Sequence, residues 1–268
     1  MEGRAETAAP ELASILLSSA ARQRESERRF EAMVTLHQHH ARRLKRRLAA
    51  SDVASGDDAF IVAIADCLRQ PSAALTLLGH ERAVLATAAS DATSRVAQNL
   101  ELTLGEGPAH DIGAGPPVHG DTDVIVVRDL VHRWPLYGSA VGPLGVRAVI
   151  AAPLRLADTC VGALVAFGPT TTVAMDAVLR LQDLAAGLTH AAQALPDTFN
   201  IIESLDLMPL LDETDTHPAI HQAAGMLSVQ LGTTITDAYA VLRARAFADD
   251  VDIDALAAKV VRREIRIT

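Results

Sequence analysis

The stretch VRAVIAAPLRLADTCVGALVAFG, residues 146–168, decides the fold class. Two apolar runs flank Ala157-Asp158-Thr159, and this pattern predicts a β-hairpin. SAALTLLG (72–79) and RAVLATAAS (82–90) repeat the pattern around Gly79-His80-Glu81. Because helices are predicted before, between and after these hairpins, the sequence favours an α+β fold built on an antiparallel sandwich.

The segments between the hairpins are predicted from spacing and composition. One helical face ends before Pro71, and a second helix runs through Val96 and Leu100. Residues 104–123, rich in glycine and proline, are expected to be irregular. Residues 124–130 predict a short strand and residues 133–145, RWPLYGSAVGPLG, a loop. The face before Pro71 consists of Phe60, Ile61, Ile64, Cys67 and Leu68.

Two segments carry residues at alternating spacings of three and four, the pattern of a coiled-coil seam. The first seam is Phe30, Val34, His37, Ala41, Leu44 and Leu48. The second is Val178, Leu181, Ala185, Leu188, Ala192 and Leu195. Because a single chain would leave both seams in water, we expect a homodimer in which these helices form a four-helix bundle.

Composition indicates a cytoplasmic globular protein. The chain has 268 residues, of which 49% are hydrophobic, and only two cysteines. No signal-peptide pattern is present, and no apolar run reaches the roughly 18 residues of a membrane span. The net charge of −9 is uneven, since residues 22–47 carry nine basic and three acidic side chains. A local nucleic-acid surface is therefore compatible with an acidic chain.

The last fifty residues predict three short amphipathic helices. Gly232 is expected to end the first, Thr236 to cap the second, and Asp250 or Asp252 to cap the third. Gly225 interrupts the first helix at a cost of about 1 kcal/mol relative to alanine. We therefore expect two helices to cross closely there. The apolar faces are Ile220, Ala224, Leu227 and Leu231; then Ala238, Tyr239, Leu242 and Ala246; then Ile253, Leu256, Ala257 and Val260.

Four regions follow from these patterns. They are an N-terminal helical, coiled-coil segment (1–56), an α+β unit (57–195), an acidic linker (196–216) and a helical bundle (217–268). Residues 196–216 contain two prolines, six acidic residues and no basic residue, a composition typical of a connector.

The bundle resembles an ANTAR domain, the small helical module that ends many bacterial signalling proteins. The resemblance covers residues 217–266 and rests on HQAAGMLSVQLG, TDAYAVLRARAFADD and IDALAAKVVRR in that order. The α+β unit is similar to the GAF domains found beside ANTAR modules. The motifs that carry this second resemblance are GEGP (105–108), PPV (116–118), Asp129-Leu130, Arg133-Trp134-Pro135, GVR (145–147), APL (152–154) and VGAL (161–164).

The two resemblances imply a function. ANTAR modules bind paired RNA stem-loops and prevent a terminator from forming, usually as dimers, and GAF domains hold a sensory pocket between the sheet and its covering loops. Many ANTAR modules carry lysine where this chain has Ala224. Losing a cation from an RNA-binding face would weaken the sequence-independent electrostatic attraction.

The candidate RNA-binding residues are polar or basic: Gln222, Arg243, Arg245, Lys259, Arg262, Arg263 and Arg266. The last four are spaced i, i+3, i+4 and i+7, which predicts one basic stripe on the final helix. Such side chains suit phosphates and unpaired base edges. The alternative is that these cations complement the helix dipole without a ligand, and that Arg243 and Gln222 are structural.

Trp134, Tyr137 and Arg147 are the candidate residues of a small-molecule pocket in the GAF-like unit, with core or lid packing as the alternative for Trp134. No cofactor, metal site or catalytic constellation is predicted. GEGP lacks the strand-to-helix context of a phosphate loop, and Asp129, His132 and Ser139 lack a nucleophile elbow. We therefore expect a non-enzymatic regulator.

The leading hypothesis is an RNA-binding transcription antitermination regulator that senses a signal through its GAF unit. The alternative is a sensory or protein-interaction module that keeps the ANTAR fold without RNA affinity. A third possibility, a DNA-binding helix-turn-helix, is disfavoured because no basic recognition helix stands out.

Overall fold

The computed structural model describes residues 5–50, 59–79, 83–114, 124–156, 159–193 and 216–267. Its strands form one sheet in the order β2-β1-β5-β4-β3, and every neighbouring pair is antiparallel. Both predicted hairpins are present, β1–β2 and β4–β5, so the α+β class is confirmed. The strands are β1 (Ser72–Leu78), β2 (Val84–Ala89), β3 (Ile125–Val127), β4 (Ala148–Leu156) and β5 (Thr159–Gly168).

Helices cover both faces of this sheet, and three more form a C-terminal bundle. The helices that precede the bundle are α1 (Ala5–Ala50), α2 (Ala59–Leu68), α3 (Ala92–Leu104), α4 (Pro108–Ala114), α5 (Leu130–Arg133), α6 (Pro135–Val141) and α7 (Met175–Gln193). The bundle consists of α8 (Pro218–Leu231), α9 (Ile235–Ala248) and α10 (Ile253–Val261).

Alternate strand residues pack into two separate cores. In β5, Leu164 and Ala166 face a core shared with α1, α2 and α7. Val165 and Phe167 face a second core that contains residues of α3, α4, α5 and α6. Because both faces of the sheet are buried, its strands show continuous apolar runs instead of alternation with polar residues. Gly162 is required in this sheet, since a Cβ there would lie 2.5 Å from the carbonyl oxygen of Thr76.

Two segments predicted to be irregular contain helices. Residues 133–145, expected to be a loop, include all of α6 and the end of α5. Pro135 occupies the start of α6, where a fixed φ suits a helix, and the Glu106 carboxylate accepts hydrogen bonds from the N–H groups of Leu136 and Tyr137. Helix α4 lies inside 104–123, while residues 115–123 fall outside the described ranges. These helices of four to seven residues are too short to show periodicity in the sequence.

The expectation that α7 leaves its seam in water is wrong. Leu181, Ala185 and Leu188 are buried within the same chain, in the core that α7 shares with β4 and α1. Helix α1 approaches α7 closely at Gly187, where a Cβ would lie 2.7 Å from Met33 Cγ. The seam positions 192 and 195 lie outside the described side chains.

Helix α1 packs through a face other than its predicted seam. Leu36 is fully buried against the α+β unit, whereas Phe30 is 71% exposed and Val34 is 38% exposed. His37 and Ala41 are exposed as well, and the side chains at 44 and 48 lie outside the description. Within one chain, the first four of the six predicted seam positions therefore face solvent.

Candidate RNA-binding surface and ligand cavity

The C-terminal bundle is closed by local capping interactions. Thr234, not Thr236 as expected, caps α9 by accepting a hydrogen bond from the Asp237 N–H at 3.1 Å. Asp252 caps α10 through the Ala255 N–H at 3.0 Å, as one of the two predicted alternatives. Gly232 ends α8 in the left-handed conformation that glycine tolerates best. The three predicted helices and their order are therefore confirmed.

The apolar face of each bundle helix is buried as predicted, apart from Leu231, which is exposed, and Tyr239, which is half-buried. Gly225 has a different environment from the one expected. A Cβ at this position would meet nothing within 4 Å, so no helix crosses closely there. Ala224 is fully buried in the bundle core. Position 224 therefore does not lie on an exposed face, and the expectation that Ala224 removes a cation from an RNA-binding face is wrong.

Four candidate cations gather at the end of the chain, but they do not form a helical stripe. Helix α10 ends at Val261, Arg262 is its C-cap, and Arg263 has a φ of 58°. The Glu264 N–H donates to the Lys259 carbonyl at 2.9 Å, which terminates the helix. Lys259, Arg262, Arg263 and Arg266 are nonetheless all exposed. We call these four residues the basic tail.

The basic tail is only partly neutralised. Arg262 donates to Glu264 at 2.6 Å, and this hydrogen bond lowers the pKa of the Glu264 carboxyl. Lys259, Arg263 and Arg266 have no ion pair within the described part of the chain. Acidic residues of the bundle lie mainly between Asp249 and Asp254, before or at the start of α10. Asp252 and Arg262, at the two ends of this helix, are therefore about 15 Å apart along its axis.

The remaining candidate RNA-binding residues lie either on the surface of the bundle or between the bundle and the α+β unit. Gln222 is exposed on α8, and Arg245 is exposed but pairs with Asp249 at 2.6 Å. Arg243 is half-buried and packs against Gly105 at the end of α3. A Cβ added to Gly105 would lie 3.1 Å from the Arg243 Nε. Burial lowers the pKa of Arg243. The sequence placed Arg243 with the RNA-binding residues, whereas the structure places it between the bundle and the α+β unit.

His217 connects the bundle to the sheet, and we call the contact region between the bundle and the α+β unit the joint. Its Nε2 lies 3.0 Å from Thr87 Oγ1 in β2, and its Nδ1 lies 2.7 Å from Asp254 Oδ2 in α10. The side chain is buried and the backbone has a φ of 43°, an uncommon conformation for a residue other than glycine. No sequence pattern indicated this role, because its partners are distant along the chain.

A cavity of about 750 Å³ lies beside this joint. Its walls come from β1, β2, α3, α4, α8 and α9, and its polar lining includes Gln98, Glu101, His217, Tyr239 and Arg243. The volume falls in the range of small-molecule sites. Sequence reasoning missed this cavity because neither unit alone forms it.

Glu101 is the buried acid of the cavity wall. Burial raises the pKa of its carboxyl to about 8, while hydrogen bonds from the His110 and Ala109 N–H groups oppose the shift and Asp111 adds to it. The His110 N–H lies 2.7 Å from Glu101 Oε1. Gly107 is needed beside it, since a Cβ there would lie 2.7 Å from the Glu101 carboxyl carbon. Within the GEGP motif, Gly107 therefore leaves space for the Glu101 carboxyl, and Glu106 caps α6.

The predicted pocket residues do not line this cavity. Trp134 and Tyr137 are buried in the core beneath the sheet, with ring centroids 5.8 Å apart and an interplanar angle of 88°. This geometry corresponds to the core-packing alternative for Trp134. Arg147 is exposed and donates to the Gly142 carbonyl at 3.3 Å. Within the described residues, the Trp134 Nε1 and Tyr137 hydroxyl have no hydrogen-bond partner.

The described side chains contain no group of three or more histidine, cysteine or acidic residues that could hold a metal ion. In the described ranges, none of the helices combines the length and the apolar character needed to span a bilayer.

Comparisons with known proteins leave the family open. No family model matches the chain, and no curated protein matches it. Among solved structures, one similar chain is a domain of a protein named as a two-component sensor histidine kinase from Sinorhizobium meliloti 1021. It is 13% identical, with a TM-score of 0.38, and the match covers 55% of this chain and 92% of that one. A likeness this distant supports no conclusion about function.

Proposed function

We propose that the chain is an RNA-binding transcription antitermination regulator whose GAF-like α+β unit senses a signal. The observation that carries the proposal is the basic tail: four exposed cations, three of them without an ion pair in the described residues, on a bundle with the predicted ANTAR-like helices. Arginine and lysine side chains placed in this way bind phosphate oxygens, and arginine also reaches unpaired base edges.

Binding by this surface would depend strongly on salt. Each phosphate contact releases condensed counterions from RNA, so affinity falls as ionic strength rises. Gln222 is exposed and able to contribute a hydrogen bond to a base or sugar. Arg243 takes no part in this surface while the bundle stays docked on α3.

The signal would act through the joint. His217 is hydrogen-bonded to Thr87, and Arg243 lies beside Gly105, where the bundle meets the α+β unit, so a change in the cavity would alter how tightly the bundle docks. A regulator of this kind works in the cytoplasm, where nascent transcripts form in bacteria.

Dimerisation would use α1. Because α7 is covered by its own chain, the proposed homodimer forms through the exposed seam positions Phe30, Val34, His37 and Ala41 of two α1 helices. Pairing would bring two bundles to one RNA, which suits tandem stem-loops and raises avidity.

The test is a gel-shift panel of leader RNAs containing tandem hairpins, at several salt concentrations. Binding that weakens with salt and falls about tenfold or more in Arg263→Gln plus Arg266→Gln is the expected result. Arg69→Gln is the matched control, since Arg69 is also an exposed arginine of positive φ at a helix end, but in the α+β unit. Absence of salt-sensitive binding to any RNA in the panel would contradict the proposal, as would preference for duplex DNA.

The alternative function is a protein-interaction module without RNA affinity. It is favoured by the balanced charge of residues 217–268, six basic and six acidic, and by the position of Arg243 in the joint. Pull-downs that recover the same protein partner with and without RNase treatment, together with a negative gel shift, would support it.

A further inference from the structure

The cavity at the joint has walls from both units. Thr76, Thr87 and Glu101 come from the α+β unit, and Ile220 and Arg243 come from the bundle. Its rim includes Ala114 and Thr236, which are exposed. A molecule bound in it would contact both units simultaneously.

Most polar groups of the wall already have partners. The Gln98 amide donates to the Leu75 carbonyl at 2.9 Å and to Thr76 Oγ1 at 3.1 Å. His217 is held by Thr87 and Asp254. In contrast, the Arg243 guanidinium has no hydrogen bond or ion pair within the described part of the chain. The carboxyl end of α3 beside Gly105 offers it only a partial negative charge.

The wall therefore presents one unpaired cation. Glu101 does not neutralise it, because burial raises the pKa of that carboxyl to about 8 and leaves it mainly protonated at pH 7. A guanidinium binds a carboxylate through two parallel hydrogen bonds. The rest of the lining is largely aliphatic, with Leu78, Leu85, Leu102 and Ile220 facing the space, and suits an apolar ligand body.

We propose that this cavity binds a small organic acid with one carboxylate and an apolar body, with Arg243 as the residue that recognises the carboxylate. Such a ligand bridges α3 and α9 and holds the bundle docked on the α+β unit. The binding site stands on the cavity and its unpaired cation alone. Only the regulatory consequence, a change in RNA binding, rests on the proposed function.

The experiment is calorimetric titration of the full chain at pH 7 with three pairs of acid and alcohol. The pairs are octanoate and octanol, 4-phenylbutyrate and 4-phenylbutanol, and indole-3-acetate and indole-3-ethanol. We expect at least one acid to bind tenfold or more tightly than its alcohol. Equal binding within every pair, or no binding by any acid, overturns the proposal.

Two variants and one control locate the site. Arg243→Met keeps the length of the side chain and removes its charge, so the acid should lose at least tenfold in affinity while the alcohol is unaffected. Arg245→Met, two residues along the same helix, should leave both unchanged. If Arg243→Met fails to fold, Thr236→Trp decides, because an indole at the rim should weaken acid and alcohol together. Unchanged acid binding in a folded Arg243→Met or in Thr236→Trp overturns the site.

Hydrogen exchange tests the bridging. The acid should slow exchange of α9 amides in the wild-type chain and not in Arg243→Met. These measurements need no RNA. A chain that binds the acid but no RNA would contradict the proposed function alone, and one that binds RNA but no acid would contradict only this inference.

Discussion

The imidazole of His217 lies 3.0 Å from the hydroxyl of Thr87, a residue 130 positions earlier in the chain. This contact attaches the residue that precedes α8 to β2, and the second ring nitrogen is bound to Asp254 in α10. One buried side chain therefore connects the sheet to two bundle helices. We expect the orientation of the bundle on the α+β unit to depend on these two contacts.

Thr87→Val should loosen the joint. The substitution keeps the side-chain volume but leaves a buried ring nitrogen unpaired, which costs about 1–3 kcal/mol. We expect faster hydrogen exchange in α8 and a lower urea midpoint. Thr171→Val, at an exposed position, is the control. Unchanged exchange in α8 would show that the contact contributes nothing to docking.

Glu101 should make stability fall with pH. Its pKa is about 8 in the folded chain against an ordinary value of 4.5, so the folded state binds more protons between these values. The stabilisation from this group is complete below pH 4.5 and is lost as pH rises through 8, with a slope of at most about 1.4 kcal/mol per pH unit.

The comparison that isolates this effect is urea unfolding of wild type and Glu101→Gln from pH 5 to pH 9. Relative to wild type, the variant should gain stability as pH rises from 5 to about 8, and the difference should level off above that pH. A stability difference that stays constant over this range would contradict the raised pKa.

Gly225→Ala should stabilise the bundle. A Cβ at 225 meets no atom within 4 Å, and alanine in a helix interior is favoured over glycine by about 1 kcal/mol. Gly162→Ala should have the opposite effect, since its Cβ would lie 2.5 Å from the Thr76 carbonyl oxygen. Thermal unfolding of the two variants measures both effects, and a destabilised Gly225→Ala would reveal a packing role for this glycine.

Arg263→Gly should stabilise the fold while weakening RNA binding. Arg263 adopts a positive φ at the end of α10, where glycine removes a cost of about 1 kcal/mol. The same change deletes a cation of the basic tail. Arg262→Gly is the control for the gain in stability only, because Arg262 has a φ of −75° and gains nothing from glycine. A gel shift unaffected by Arg263→Gly, alongside raised stability, would remove Arg263 from the RNA surface.

Phe30→Asp should abolish the proposed dimer without unfolding the chain. Phe30 is 71% exposed in the single chain, so its loss costs little folding free energy unless a second copy covers it. Light scattering after size exclusion should show a change from dimer to monomer, with an unchanged melting temperature at low concentration. If the wild-type chain is itself monomeric at micromolar concentrations, dimerisation through α1 is wrong.

Local patterns in the sequence determined the hairpins, the three bundle helices and their buried faces. Ile220, Leu242 and Leu256 are buried because helical spacing places them on one side of their own helices. The capping role of Asp252 and the helix end at Gly232 were predictable in the same way, because each depends on atoms within a few residues.

The partners of those faces were decided only by the tertiary structure. Heptad spacing predicted one apolar face on α1 and one on α7. It did not indicate that the face of α7 is covered by its own chain while Phe30 of α1 is exposed. The joint and its cavity likewise bring together residues that are distant in the sequence, Thr87 with His217 and Gly105 with Arg243. Periodicity reports which side of an element is apolar, whereas the neighbour that covers it depends on how distant segments pack together.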